Sequence, residues 1–213
     1  MNYFNNYIVI DSETGGIPSV LKKEATLEVA LTEVALVSVS GETLSIQKKD
    51  SWLIKPYSPD LIYDPGAEKA SGISKRMCEK EGIDIEIVYE NVRDFLVSQT
   101  KKSLKPIVIM QNKDFDIPFL SNLFKLFKDD FFKYIDRVED TMEWSRLKWP
   151  EEGKHSLGTI AQRCGLDHTQ AHRALPDTIK TAEVWIHYLR CLRGQGGSSE
   201  QEKPTRFRSK FKF

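Results

Sequence analysis

The chain has 213 residues, 40% hydrophobic and 29% charged, with 31 basic side chains against 31 acidic ones. That length supports one well-buried core and is short for two full domains, and no apolar stretch approaches the roughly 20 residues that span a bilayer. A formal net charge of zero removes the broad electrostatic footprint of a nucleic-acid binder, so any such contact depends on local charge. Met1 to Asn6 lacks the basic and apolar regions of a secretory signal, and Cys78, Cys164 and Cys191 are too scattered for a disulfide framework or a zinc site. These features point to reduced thiols in the cytoplasm, or in an intracellular, nucleoid-associated setting, with no membrane partner.

The apolar run Tyr7 to Ile10 predicts a first strand with Asp11 and Glu13 at its tip, followed by a loop at Gly15-Gly16-Ile17-Pro18. Glu28 to Val39 predicts a long strand buried on both faces, and Leu44 to Ile54, closed by Lys55-Pro56, its antiparallel or edge partner. Pro65 to Glu81 reads as two short helices broken at Ser71-Gly72, and Glu86 to Gln99 as a helix through Ile87, Val88, Val92, Phe95 and Leu96. Pro106 to Met110 is a short buried strand. Asp116 to Phe127 is amphipathic, and Pro118 suits a helix that starts there because it falls in the first turn.

A brief strand near Ile135 to Val138 precedes Thr141, an acceptable cap for a helix over Met142 to Lys148. Ser156 suits the cap of a helix running to Cys164 and ended by Gly165, and Pro176 opens a last helix to about Arg193. This order predicts an α/β chain whose mixed sheet is covered by helices. Residues 1–193 form the expected domain and residues 194–213 a flexible tail. Gly194 to Ser199 has linker composition, and Arg206 to Phe213 mixes basic residues with phenylalanines, a pattern for gripping phosphate and stacking on bases or for docking onto a partner.

Residues i and i+2 of a strand point the same way, so Asp11 and Glu13 converge on one point. Two carboxylates so placed repel unless a proton or cation lies between them, and hard oxygen ligands suit Mg²⁺ or Mn²⁺ better than zinc. Gln111 to Leu120 repeats this logic: a buried strand delivers Asp116 to a helix start, where the helix dipole favours its ionised form. The third constellation is His172 with Asp177. In one continuous helix, five residues would rotate them roughly 140° apart. Pro176 disfavours helix before it, which leaves His172 on a loop able to fold back beside Asp177. A histidine titrates near neutrality and suits a general base.

The ordered set Asp11-Ser12-Glu13, Asn112-Lys113-Asp114-Phe115-Asp116 and His172 with Asp177 resembles the DEDDh, or DnaQ-like, family of 3′ to 5′ exonucleases, which includes the proofreading subunit of bacterial replicative DNA polymerase. Thr14-Gly15, Gly72-Ile73-Ser74 and Ser156-Leu157 extend the likeness, which runs from Tyr7 to about Arg193. The resemblance implies an RNase H-like, five-stranded mixed sheet and hydrolysis with two divalent ions, Mg²⁺ or Mn²⁺. By the same resemblance, Asp11, Glu13, Asp116 and Asp177 hold the metals, with Asp11 bridging them and Asp116 acting directly or through a water. His172 is the implied general base, and nucleoside 5′-monophosphates are the implied products.

Thr14, Gly15 and Gly16 lie where the family backbone nears the terminal nucleotide, and glycine permits close approach. Asn112 is placed to orient the scissile region or to satisfy loop backbone, and Phe115 to wedge a base or to join the core. Gln111 and Ser71 stand where many members carry histidine, a departure that bears on substrate preference. The implied substrate is a single-stranded DNA 3′ end, with RNA trimming as the alternative. Glu13-Thr14-Gly15-Gly16 differs from the Glu-Met-Thr-Gly usual in oligoribonucleases. A DNA polymerase or another replication or repair protein is the implied partner, and a noncatalytic polymerase-associated subunit is the competing reading, opposed by the five filled catalytic positions.

Overall fold

Five strands form one sheet in the order β3-β2-β1-β4-β5, from β1 (Tyr7–Thr14), β2 (Leu31–Val39), β3 (Ile46–Leu53), β4 (Ile107–Met110) and β5 (Val138–Asp140). The structure is a computed structural model and describes residues 4–17, 28–167 and 173–194. β1 pairs antiparallel with β2 and parallel with β4, β2 pairs antiparallel with β3, and β4 pairs parallel with β5. The sheet is therefore mixed, as expected.

Alternation along β1 decides what each face meets. Ile8 and Ile10 turn toward the side covered by α3 (Ile85–Ser98) and α4 (Lys113–Leu126), where they join Val92, Phe95, Leu120 and Phe124 in one core. Val9 turns the other way, into a second core with Ile160, Ala182 and Trp185 from α6 (Leu157–Arg163) and α7 (Ala174–Leu192). β2 is buried along its whole length, which accounts for its nearly uninterrupted apolar run. Each fully buried Ile, Val or Leu in these layers is worth about 1.5–3 kcal/mol over exposure. Among the described residues, no helix is long and apolar enough to cross a membrane.

The two short helices are α1 (Pro65–Ser71) and α2 (Lys75–Glu81). Asp64 caps α1 by accepting from the Gly66 and Ala67 N–H groups, and Gly72, at φ 71°, ends it in the left-handed conformation that glycine favours. Ser74 then caps α2. Serine and glycine thus break the helix where the sequence places the break.

Several boundaries differ from the sequence expectation. β2 begins at Leu31, while Val29 only bridges to Ile62. α4 begins three residues before Asp116, so Pro118 lies in its second turn and leaves the carbonyl of exposed Asp114 to solvent. The early start follows from Asp140, whose carboxylate accepts from the Asn112 and Lys113 N–H groups, both at 3.1 Å. Asp140 also accepts from Met142 N at 2.7 Å, so it rather than Thr141 caps α5 (Thr141–Lys148). The Thr141 hydroxyl instead donates to Met110 O and Gln111 Oε1.

The last strand is 138–140 rather than 135–138, because Val138, Glu139 and Asp140 are the residues in register with β4. α7 starts at Ala174, two residues before Pro176. A proline in the first turn removes no helical hydrogen bond, since the first four N–H groups have no partner within the helix. The Asp140 double cap yields a direct expectation. Asp140→Ala strips acceptors from two helix starts and should cost about 2–4 kcal/mol in chemical denaturation. A loss below about 1 kcal/mol would show that water replaces the carboxylate.

Candidate active site

The parallel strands β1 and β4 end at the same edge of the sheet, and the acidic motifs follow from that. Asp11 and Glu13 lie within β1 and share the α7 face with Val9, while Ser12 faces α4. Asp177 sits in the first turn of α7. Asp11, Glu13 and Asp177 each place one carboxylate oxygen so that all three lie within 4.8 Å of one another. Among the described residues this is the group of acidic, histidine or cysteine side chains close enough to hold a metal ion.

Asp116 approaches from α4. It is buried, and its Oδ1 accepts from the Ser12 N–H at 3.0 Å and the Ser12 hydroxyl at 2.5 Å. The structure thus brings Asp11, Glu13 and Asp177 together and ties Asp116 to the backbone between the first two. His172 lies outside the described residues, as do His168, Pro18 and the tail stretch Arg206 to Phe213.

Electrostatics at this edge are those of crowded, poorly solvated carboxylates. Burial, then the charges of Asp116, Glu13, Asp177 and Glu33, hold the Asp11 carboxyl well above the usual range. Burial followed by Asp177 and Glu33 pushes Glu13 up to about 7, with Arg173 opposing. Burial also raises Asp116 to about 7 against the two Ser12 hydrogen bonds. Groups so raised bind either protons or a cation. An all-oxygen donor set of this charge fits a divalent hard cation, so the residues present suit Mg²⁺ or Mn²⁺.

The neighbouring loops are built by the chain's own backbone. Gly15 N–H donates to Ala30 O at 2.7 Å, and Gly15 O accepts from Asp64 N at 2.6 Å. A Cβ at Gly15 would sit 2.3 Å from Ile62 O, so the close approach of the Ile62 backbone already demands glycine there. At Gly16 a Cβ would meet Asp64 only at 3.4 Å. Thr14 is buried and donates its hydroxyl to Gly16 O at 2.7 Å.

Asn112 holds a left-handed backbone, φ 68°, and is fixed through its N–H by Asp140. Phe115 is half-buried and packs on Phe119 with ring centroids 5.5 Å apart. Gln111 donates to His155 O at 3.0 Å, and His155 Nδ1 lies 2.8 Å from the Ser145 hydroxyl.

Sequence reasoning missed Glu33. It pairs across the ladder with Glu13, is 4% exposed, and receives two hydrogen bonds from the Arg173 guanidinium, both 3.1 Å, and one from Ala174 N at 3.3 Å. The available signal was a lone acid within a strand of otherwise apolar and neutral residues, where a buried charge requires a partner.

Comparison with known proteins adds three findings. Residues 8–185 match the RNase_T family, described as exonuclease. The DNA polymerase III PolC-type of Bacillus subtilis (strain 168) is 27% identical over 186 residues, which cover 86% of this chain and 11% of the polymerase. Two structures of E. coli exonuclease I, a zinc-bound complex with single-stranded DNA and a complex with a dT13 oligonucleotide, superpose with TM-scores of 0.73 and 0.72. Each is 17% identical to this chain; the matches cover 91% and 90% of it and 42% of exonuclease I, a likeness of fold.

Proposed function

The chain belongs to the RNase_T exonuclease family of DnaQ-like nucleases, and from that membership we propose that it removes nucleotides one at a time from the 3′ end of single-stranded DNA. The observation that carries this reading is the trio Asp11, Glu13 and Asp177, within 4.8 Å of one another at the sheet edge. Two divalent ions, when bound, supply charge stabilisation for the attacking and leaving oxygens of an in-line displacement.

The protein's own groups do the rest. Asp11, Glu13 and Asp177 would hold the ions, and Asp116 would assist once released from Ser12 or through a water. His172, which directly precedes Arg173 in the chain, takes the proton of the attacking water at an imidazole nitrogen. Asn112 and the Thr14-Gly15-Gly16 loop border the terminal nucleotide, and Phe115 lies beside its base. Residues 1–193 act as the exonuclease domain and residues 194–213 as an appended tail. The similarity to a PolC-type polymerase and the ssDNA complexes of exonuclease I support DNA over RNA and an intracellular role beside a replication or repair protein.

The test is degradation of matched single-stranded, duplex and mismatched DNA and RNA, labelled at either end, with Mg²⁺ or Mn²⁺ and read at nucleotide resolution. The expected result is a ladder shortening from the 3′ end of single-stranded DNA, with 5′-mononucleotides released. His172→Gln should slow it by about 10²–10⁴-fold. Intact DNA under every condition would overturn the nuclease reading, and faster loss of RNA would move it to RNA trimming.

A further inference from the structure

Glu13 and Glu33 stand directly opposite on β1 and β2, so their side chains share one face of the sheet. Like charges so placed are destabilising. A free Glu33 carboxylate there would also be a ready fourth ligand beside Asp11, Glu13 and Asp177. Two contacts keep it from that role. The Arg173 guanidinium grips both Glu33 oxygens, and Ala174 N–H, at the first residue of α7, donates to one of them. Asp177 N in turn donates to Arg173 O at 3.2 Å.

We propose that Arg173 is a positioning residue that withholds Glu33 from the metal-binding carboxylates. The proposal rests on the reading of that trio as a divalent-metal site. A fork with two parallel hydrogen bonds fixes a carboxylate in angle as well as distance, which a single ammonium cannot do. The ion pair joins residues 140 positions apart. It ties β2 to α7 at the point where the chain passes from His172 into the helix.

The two partners should act on metal affinity with opposite signs. Arg173→Gln frees the Glu33 carboxylate, which adds to the cluster, and Mn²⁺ should bind about tenfold more tightly. Glu33→Gln leaves the guanidinium with Glu13 as its neighbouring carboxylate, and Mn²⁺ should bind about tenfold more weakly. The double variant should return to within about twofold of the parent, because neither a freed carboxylate nor an unpaired guanidinium remains beside the cluster. Arg173→Lys keeps the charge without the fork and should stay near the parent in affinity while lowering kcat on single-stranded DNA.

Calorimetric titration of the full chain with Mn²⁺, without nucleic acid, reads these shifts, and a hydrolysis assay runs beside it. A purely structural pair would weaken binding in both single variants or change neither, and either result overturns the proposal. Should Arg173→Gln fail to fold, unchanged or tighter binding in Glu33→Gln overturns it equally. A parent that binds Mn²⁺ and cleaves DNA while the variants match it defeats only this inference. A parent that binds no Mn²⁺ defeats the metal-nuclease reading itself.

Discussion

Asp11→Asn should abolish hydrolysis and, in the same protein, raise the melting temperature measured without metal. The side chain keeps its shape and loses its charge. Its carboxyl is held well above the usual range by burial and by four neighbouring acids, Asp116, Glu13, Asp177 and Glu33, so in metal-free protein its ionised form is disfavoured. Removing it, compared at a pH high enough to ionise the parent carboxyl, should raise the melting temperature by roughly 2–4 °C, about 1 kcal/mol for a domain of this size. Hydrolysis should fall by about 10³-fold or more, because a bound divalent ion contributes several kcal/mol to the transition state and each 1.4 kcal/mol is a factor of ten. Loss of both activity and stability would mean that Asp11 supports the fold, and retained activity would remove it from the chemistry.

The second expectation couples metal, pH and stability. In the folded protein Glu13 and Asp116 hold protons up to about 7, against ordinary values of 4.5 and 3.8. The folded state therefore binds these protons more tightly than the unfolded chain. Their favourable contribution is complete below the ordinary values and disappears as pH rises toward 7. With a chelator present, the cluster should lower the melting temperature between about pH 4.5 and 7.

Divalent cation should reverse the loss by binding the deprotonated carboxylates. At 100 times its dissociation constant the gain is about 2.7 kcal/mol, or roughly 5–11 °C. The metal-induced rise should be larger at pH 8 than at pH 5. Asp129 provides an internal contrast, since Lys133, then Tyr134, hold its carboxyl well below the usual range. Its stabilisation is lost only as pH falls below its ordinary value, outside the window of the cluster. Glu13→Gln with Asp116→Asn should flatten the drop between pH 4.5 and 7 and leave the acid limb alone. Equal metal-induced shifts at both pH values would refute the assignment.

What the sequence made readable was local. A period of two puts Asp11 and Glu13 on one side of a strand, and the structure has them there beside Asp177. Pro65, the break at Ser71-Gly72, and Ser156 with Gly165 marked α1, α2 and α6 within a few residues. The boundaries that moved are those set by distant partners. Asp140 lies 27 and 28 residues from the amides it holds at the start of α4. No local pattern distinguishes it from Thr141 as a cap, since both types serve.

Glu33 and Arg173 were invisible as a pair because only the tertiary fold brings β2 and the α7 end together. The glycine at position 15 was legible as a special position, but its reason was not. It answers to Ile62 O of the chain itself. The same holds for Asn112, whose left-handed backbone depends on an amide held from Asp140.

The sheet order places β1 at the centre, while the acid that completes its cluster arrives on α7, 166 positions after Asp11 in the chain. Contacts of such long sequence separation form late, because the loop they close must first be ordered. A ribosome-bound or truncated chain ending before α7 would hold Asp11, Glu13 and Asp116 without Asp177 and with no partner for Glu33. The cleavage chemistry is thereby made conditional on completed folding, so a partly synthesised copy should be harmless to the nucleic acid around it.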